Sequence, residues 1–445
     1  MLSRKLNKSL FIIISYTSIV HIFFWTLGFG NAHIYLKDSF EYLHQAENII
    51  AGNSWYSGDI HQIFNNDMVS QRPPLYSFFI LLFKSIIHSD HFILFIQCFI
   101  SVFIFTLVYK LYTKLGKETP SPFIFSLLIF FPTQLIYSNM IMSELLCQAM
   151  VFLSFYFLII FLIDHKQKHL FLFHLFISLA ILTKPVWYLF WIPALLFLIY
   201  LFYKKIIPIY SLSYILLPIA TVFLICLHNY NQTGYFHYSS VKRTNMVNYN
   251  VYLTLAQKYS PDSANNIISN INKAATTKGT YKDFAQYIEN ENTRIIKENL
   301  PTYIWLETKG IFNFFTDHGR FDIYSFFSLP PEENMNGLYW FYSNYGIKGV
   351  QKYISQFPIG LIIYLPIIAL INIFISLCFI LFLFNPKIPL EVRLSAILFV
   401  FYLAVITGPI GAARFRMPIY PILLFTLPFG FDILKNKLTI KSNNK

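Results

Sequence analysis

Long apolar runs separated by short charged gaps dominate this chain, and they narrow its possible folds more than any single motif does. Stretches such as 92–109, 144–163 and 358–384 approach or exceed the ~20 residues that a helix needs to cross a hydrocarbon core. In a bilayer every backbone polar group must be satisfied within the spanning element, so runs of this length call for helices. Composition agrees: of 445 residues, 56% are hydrophobic and only 12% charged, which predicts an all-α integral membrane protein. The net charge of +13 would suggest nucleic acid as a partner of a soluble protein. Here the lysines and arginines sit between apolar runs, where they set topology instead, so no nucleic-acid partner is expected. Cys98, Cys147, Cys226 and Cys378 are isolated in apolar surroundings and signal neither a disulfide framework nor a thiolate metal site.

With the basic N-terminus (Arg4, Lys5, Lys8) inside, about ten spans are predicted: 10–28, 92–109, 122–141, 144–163, 170–183, 187–203, 206–227, 358–384, 393–408 and 417–434. The first resembles a signal anchor without a small-residue cleavage site and is expected to remain attached. Inside segments then hold Lys110, Lys114, Lys117, Lys166, Lys168, Lys204, Lys205, Lys387, Arg393 and the tail lysines, while the short outer turns hold only Lys184, Arg414 and Arg416. This bias gives a multi-pass membrane protein with its larger loops outside. The run Pro74–Ile87 contains Lys84 and is short for a span, so it is placed at the interface. A crossing there would invert every later loop and move the lysine clusters outside. Three regions follow: 1–227, a transmembrane core with a first periplasmic loop at 28–91; 228–357, a larger periplasmic loop; and 358–445, C-terminal helices with a cytoplasmic tail.

Charge within so apolar a chain is costly unless it faces water, protein or substrate. The first loop carries Lys37-Asp38-Ser39-Phe40-Glu41-Tyr42-Leu43 and, thirty residues on, Gln71-Arg72-Pro73-Pro74-Leu75-Tyr76. From Asp38 to Gly52 the spacing of Phe40, Leu43, Ala46 and Ile50 predicts an amphipathic helix on the bilayer surface, and Asp38-x-x-Glu41 resembles a capping box. A carboxylate at a helix start stays ionised near the positive end of the dipole, so capping and catalysis are compatible roles for Asp38. Glu144 falls at the outer turn between spans three and four; there it is either an ordinary turn residue in the headgroup layer or a group facing a cavity. Thr183-Lys184-Pro185 breaks the run 170–203 at another outer turn, where Lys184 either snorkels to headgroups or meets a phosphate. In the last outer turn, Ala413-Arg414-Phe415-Arg416-Met417-Pro418 opposes the usual charge bias. A guanidinium keeps its charge when buried and grips phosphate bidentately, which suits a lipid phosphate; the alternative is headgroup contact.

The segment 228–357 matches no recognisable soluble domain. Its clearest helical periodicity lies at Tyr281–Leu300. Its second half is aromatic, with Trp305, Phe312, Phe314, Phe315, Phe321, Phe326, Phe327 and Tyr339-Trp340-Phe341-Tyr342, a set suited to anchoring and packing and secondarily to sugar stacking. There is no phosphate-binding glycine loop, HExxH, nucleophile elbow or internal repeat, and the twelve histidines lack ligand spacing.

Taken in order, Asp38, Arg72-Pro73-Pro74-Leu75-Tyr76, Ser143-Glu144, Thr183-Lys184-Pro185 and Ala413-Arg414-Phe415-Arg416-Met417-Pro418-Ile419-Tyr420-Pro421 resemble the GT-C glycosyltransferases, in the bacterial branch related to protein O-mannosyltransferases and the lipid A aminoarabinose transferase. His228-Asn229-Tyr230, Thr233-Gly234-Tyr235-Phe236 and Ser239-Ser240 also resemble the segment after span seven of many bacterial members. The resemblance implies a GT-C-like fold and inverting transfer of a sugar from a polyprenyl-phosphate carrier to a hydroxyl of an envelope acceptor, which is lipid A, another glycan or a protein. It implies Asp38 as base, Glu144 as a second acid or as the group that sets a cation's position, and Arg72, Lys184, Arg414 and Arg416 as ligands of the lipid phosphate. Glu41 and Tyr76 are expected to contact acceptor or sugar. The first-loop acid stands as Asp-Ser, not a paired Asp-Glu, so no metal is called for and a divalent cation stays open. A polymerase or ligase using a pyrophosphate-linked glycan, and a non-enzymatic carrier or flippase, are the competing readings. The scarcity of ionisable residues inside the spans counts against the last.

Overall fold

A computed structural model describes residues 2–30, 33–52, 55–115, 123–329 and 338–443, and all regular structure among them is helical. Lys117 and Lys445 lie outside the described residues, as do the side chains of Arg4, Lys5, Tyr339, Trp340, Lys437 and Lys441. Among the described residues, seven helical stretches are long and apolar enough to cross a membrane: Lys8–Leu27, Asp90–Lys114, Glu144–Asp164, Pro185–Tyr203, Ile209–Thr233, Ile359–Leu383 and Ala413–Lys435.

Three expected spans are absent from that set. The run 122–141 is broken, within its described part, into a turn of helix at Phe123–Ser126, a 3-10 stretch at Leu127–Phe130 and a helix at Pro132–Ser138. Proline at position 132 cannot donate to the preceding turn, so the ladder restarts there. The other two, Gln167–Thr183 and Leu390–Ile406, are helices of 17 residues. At 1.5 Å per residue each covers about 26 Å, slightly less than the hydrocarbon thickness. Leu75–Lys84 has 10 residues, about half a crossing.

The hairpin formed by Glu144–Asp164 and Gln167–Thr183 sets the direction of the core. His165 turns the chain in a left-handed conformation (φ 53°), Ser154 donates to the Phe173 carbonyl at 2.9 Å halfway along, and Lys184 meets Glu144 at 2.8 Å at the other end. Both helices therefore run the same depth, and Glu144 and Lys184 share one face of the bundle. Lys110, Lys114, Lys166, Lys168, Lys204, Lys205 and Lys387 lie at the opposite helix ends. Between the faces an aromatic core packs Phe155 against Phe399 and Phe425 at 5.7 and 5.5 Å between centroids, with Phe190 on Phe399 at 4.8 Å.

On the Glu144 face the first loop forms the helix Lys37–Ile50. Its cap differs from expectation: the Ser39 hydroxyl accepts from the Leu36 amide at 2.8 Å, so Asp38 is released from capping. Its inward face is Ser39, Tyr42, Gln45, Ala46 and Asn48, while Phe40 and Ile50 are exposed. Gln45 and Asn48 donate to the carbonyls of Trp55, Arg72, Tyr56 and Gly58, and these bonds give the irregular 55–72 loop its course.

The second outer segment docks on that loop. Its helices Pro261–Thr276 and Tyr281–Glu298 are capped by Ser260 and Thr280 and enclose a small core of Val251, Leu255, Ala264, Ile271 and Ile295. The Arg243 guanidinium, buried between Tyr281 and Phe284, pairs with Asp67, and the Ser240 hydroxyl donates to Gln71 at 2.9 Å. Its aromatics divide: Phe314, Phe326 and Phe341 are buried, whereas Trp305, Phe312 and Phe321 are exposed.

Candidate active site

Six charged side chains from five separated parts of the chain meet on the Glu144 face. Asp38 enters from the first turn of Lys37–Ile50, with Glu41 one turn further on. Arg72 comes from the loop that Gln45 holds by its carbonyl, Glu144 from the start of its span, Lys184 from the end of the following helix and Arg414 from the turn before the last span.

The six form one continuous network. Arg72 binds Asp38 Oδ1 through Nη2 at 2.9 Å and Glu41 Oε2 through Nε at 2.6 Å, with its guanidinium 5.1 Å from the Tyr42 ring centroid. Arg414 reaches the second oxygen of Asp38 through Nη2 at 3.0 Å and Glu144 Oε1 through Nε. Lys184 Nζ donates to that same Glu144 oxygen at 2.8 Å. Glu144 is fully buried and Asp38 is 29% exposed, so the network runs from the protein interior to an open edge. Three acids face three cations, and their mutual attraction offsets the desolvation that burying each charge costs. Burial alone would raise the Asp38 carboxyl, but Arg72 and Arg414 outweigh it and hold the group below the usual carboxylate value. Burial works against the charge of Arg72, and Tyr42, Asp38 and Glu41 overcome it, raising its pKa.

Two expected site residues are elsewhere. Tyr76 is fully buried, donates its hydroxyl to Gln97 Oε1 at 2.8 Å and packs edge-on against Tyr42 at 4.9 Å; it supports the first-loop helix from behind and does not reach the open edge of the network. Arg416 is only 2% exposed and donates to the carbonyls of Phe314, Phe315 and Asp317 at 3.0, 2.6 and 3.0 Å. These carbonyls lie at the end of the helix Leu300–Thr316, where no further turn supplies amide donors; Asn372 and Ser376 also donate to those of Asp317 and Phe315, and the guanidinium is held there, away from the cluster. Glu41 does join it, as a ligand of Arg72.

The structure also supplies residues that the motifs did not. The Tyr137 ring lies 5.4 Å from the Arg414 guanidinium carbon, and its hydroxyl donates to Asp322. Tyr42 and Ser143 share a hydrogen bond of 2.7 Å that joins the helix of Asp38 to the residue before Glu144. One signal was present in the sequence: Thr133 and Tyr137 recur four apart in a run otherwise read as a span, as a polar stripe facing inward would. Among the described residues no three His, Cys, Asp or Glu side chains come together as a metal-ligand set.

Residues 71–228 match the family model described as dolichyl-phosphate-mannose-protein mannosyltransferase. This stretch includes Arg72, Glu144 and Lys184; Asp38 and Arg414 lie outside it. No curated protein matches the chain. Among solved structures, the crystal structure of ArnT from Cupriavidus metallidurans in the apo state is similar at 10% identity and a TM-score of 0.38, over 91% of this chain and 77% of that one.

Proposed function

We propose, for a membrane protein related through residues 71–228 to the GT-C glycosyltransferases of the dolichyl-phosphate-mannose-protein mannosyltransferase type, that the charged network is the active site of an inverting glycosyltransferase. The donor is a sugar on a polyprenyl-phosphate carrier, and the acceptor is a hydroxyl of an envelope glycan, glycolipid or protein. The observation that carries this reading is the convergence of Asp38, Arg72, Glu144, Lys184 and Arg414 on one face of the bundle.

The chemistry follows from the charges. An acceptor oxygen attacks the anomeric carbon from the face opposite the phosphate, the carbon–phosphate-oxygen bond breaks, the hydroxyl proton passes to Asp38, and polyprenyl phosphate leaves. Cations fixed beside the departing oxygen stabilise the charge that develops there, and Arg72, Lys184 and Arg414 supply them. Glu144 holds Lys184 and Arg414 together and anchors them from within.

In the unliganded network both oxygens of Asp38 are taken by guanidinium groups, and its low pKa makes it a weak base. An incoming phosphate competes for the same guanidinium groups. As Arg414 or Arg72 turns towards it, an oxygen of Asp38 is freed and its basicity rises, so the base becomes active when the donor is in place. No step is routed through a metal. The lysine-rich opposite ends of the helices support an active site on the periplasmic side of the cytoplasmic membrane.

The test is Asp38→Asn, assayed by transfer of radiolabelled sugar from polyprenyl phosphate into envelope fractions. The expected result is a fall of at least about 10²-fold per folded molecule, as for loss of a general base, with membrane insertion unchanged and the folded fraction counted by size-exclusion recovery. Turnover retained by the variant overturns the assignment.

A further inference from the structure

The helix Arg320–Phe326 carries a buried acid that the mechanism above does not use. Asp322 is 4% exposed, and no lysine or arginine among the described residues forms an ion pair with it. Two hydroxyls hold it instead: Tyr137 donates to Oδ1 at 2.9 Å and Thr133 to Oδ2 at 3.0 Å. A buried carboxylate without a cation costs free energy, and an asparagine would occupy the same space more cheaply. The feature that distinguishes Asp322 is therefore what its charge does to its partners.

The face of the Tyr137 ring looks onto Arg414, 5.4 Å from the guanidinium carbon. A guanidinium is drawn to the electron-rich face of an aromatic ring, and donation from the phenol to a carboxylate polarises that ring further. The elbow bearing Asp322 also grips the turn of Arg414 directly, because Asp317 Oδ2 accepts from the Ala413 amide at 2.6 Å. Gly319 lets the elbow close: its φ is +73°, and a Cβ there would stand 2.7 Å from Thr133 Oγ1 and 3.4 Å from Asp322 Oδ2.

We infer that Asp322 is a positioning residue, which through Tyr137 fixes the Arg414 guanidinium between Asp38 and Glu144 for its encounter with the lipid phosphate. The inference rests on the function proposed above. It makes the outer elbow Asp317–Asp322 part of the phosphate-handling apparatus, although none of its side chains touches the phosphate.

A double-mutant cycle tests this, with undecaprenyl phosphate as the probe and full-length protein in lipid nanodiscs at a pH of about 8.5, where the Asp322 carboxyl is ionised. Asp322→Asn is expected to weaken binding about three- to tenfold when Arg414 is present, in the range of a desolvated cation–aromatic contact. In the Arg414→Lys background it is expected to cost less than about twofold, because coupled residues are non-additive. Tyr137→Phe, which keeps the ring and removes the hydroxyl, should behave like Asp322→Asn and replaces it if that variant does not fold. A purely structural acid would lower binding equally in both backgrounds, and that result overturns the inference alone. Wild-type protein that does not bind the probe overturns the functional reading and this inference with it.

Discussion

Arg414 and Arg416 stand two residues apart on one short turn and serve opposite sides of it. Arg414 faces acids, Asp38 and Glu144, at the edge of an open site. Arg416 faces the carbonyls at the end of Leu300–Thr316 and meets no carboxylate at ion-pair distance among the described residues. The cause is helical phase. Residues i and i+2 on a helical turn point in nearly opposite directions, so two arginines at that spacing cannot both grip one phosphate. On the proposed function, one side of the turn serves chemistry and the other attachment.

The largest effect should come from breaking the chemical side. Glu144→Ala leaves Lys184 and Arg414 without the buried acid they share, a loss of about 3–5 kcal/mol for a broken buried pair. We expect little folded protein after thermal challenge in detergent, measured by size-exclusion recovery; a variant as stable as wild type would show that the network tolerates unbalanced charge. A smaller effect is expected on the attachment side. Arg416→Lys keeps the charge but loses the planar fork, and should cost about 1–3 kcal/mol while the folded fraction binds undecaprenyl phosphate within about twofold of wild type. Normal stability with lost lipid binding would reverse the division of labour between the two arginines.

The sharpest test concerns pH. Burial pushes the Asp322 carboxyl up to about 7, with Asp317 adding to the rise and the Tyr137 and Thr133 hydroxyls and Arg414 opposing it; Arg416 is the other charged group near it. The folded state then holds a proton that the unfolded state releases near the ordinary carboxylate value of about 4. Protons bound in the folded state exceed those in the unfolded state between these values, so stability falls as pH rises from about 4 to about 7 and levels off above. Asp322→Asn should flatten that decline in the melting temperature, and an unchanged slope would place its source elsewhere.

Much of the site was legible because charge at a membrane boundary is conspicuous. Asp38, Glu41, Arg72, Glu144, Lys184 and Arg414 each interrupt or flank an apolar run, and all six meet. What was not legible depended on direction. Tyr76 and Arg416 lie near residues of the charged network in sequence but point into the protein, and only the packed structure assigns their phase. Asp322 was hidden because its partners, Thr133 and Tyr137, lie in a run whose mean hydropathy reads as a span. The break at Pro132, which turns these residues toward Asp322, is invisible to any averaged window.

Besides the Arg416 side chain, the segment leading into the turn of Arg414 meets the helix Leu300–Thr316 backbone to backbone at Gly310. A Cβ on Gly411 would come within 1.8 Å of the Gly310 carbonyl oxygen, and one on Gly310 within 2.3 Å of the Gly408 oxygen. Bare backbone has no rotamers with which to absorb a displacement. A tilt of this outer helix, whose Trp305 and Phe312 are exposed, therefore shifts the backbone that carries the Arg414 guanidinium, as a lever moves its own fulcrum pin.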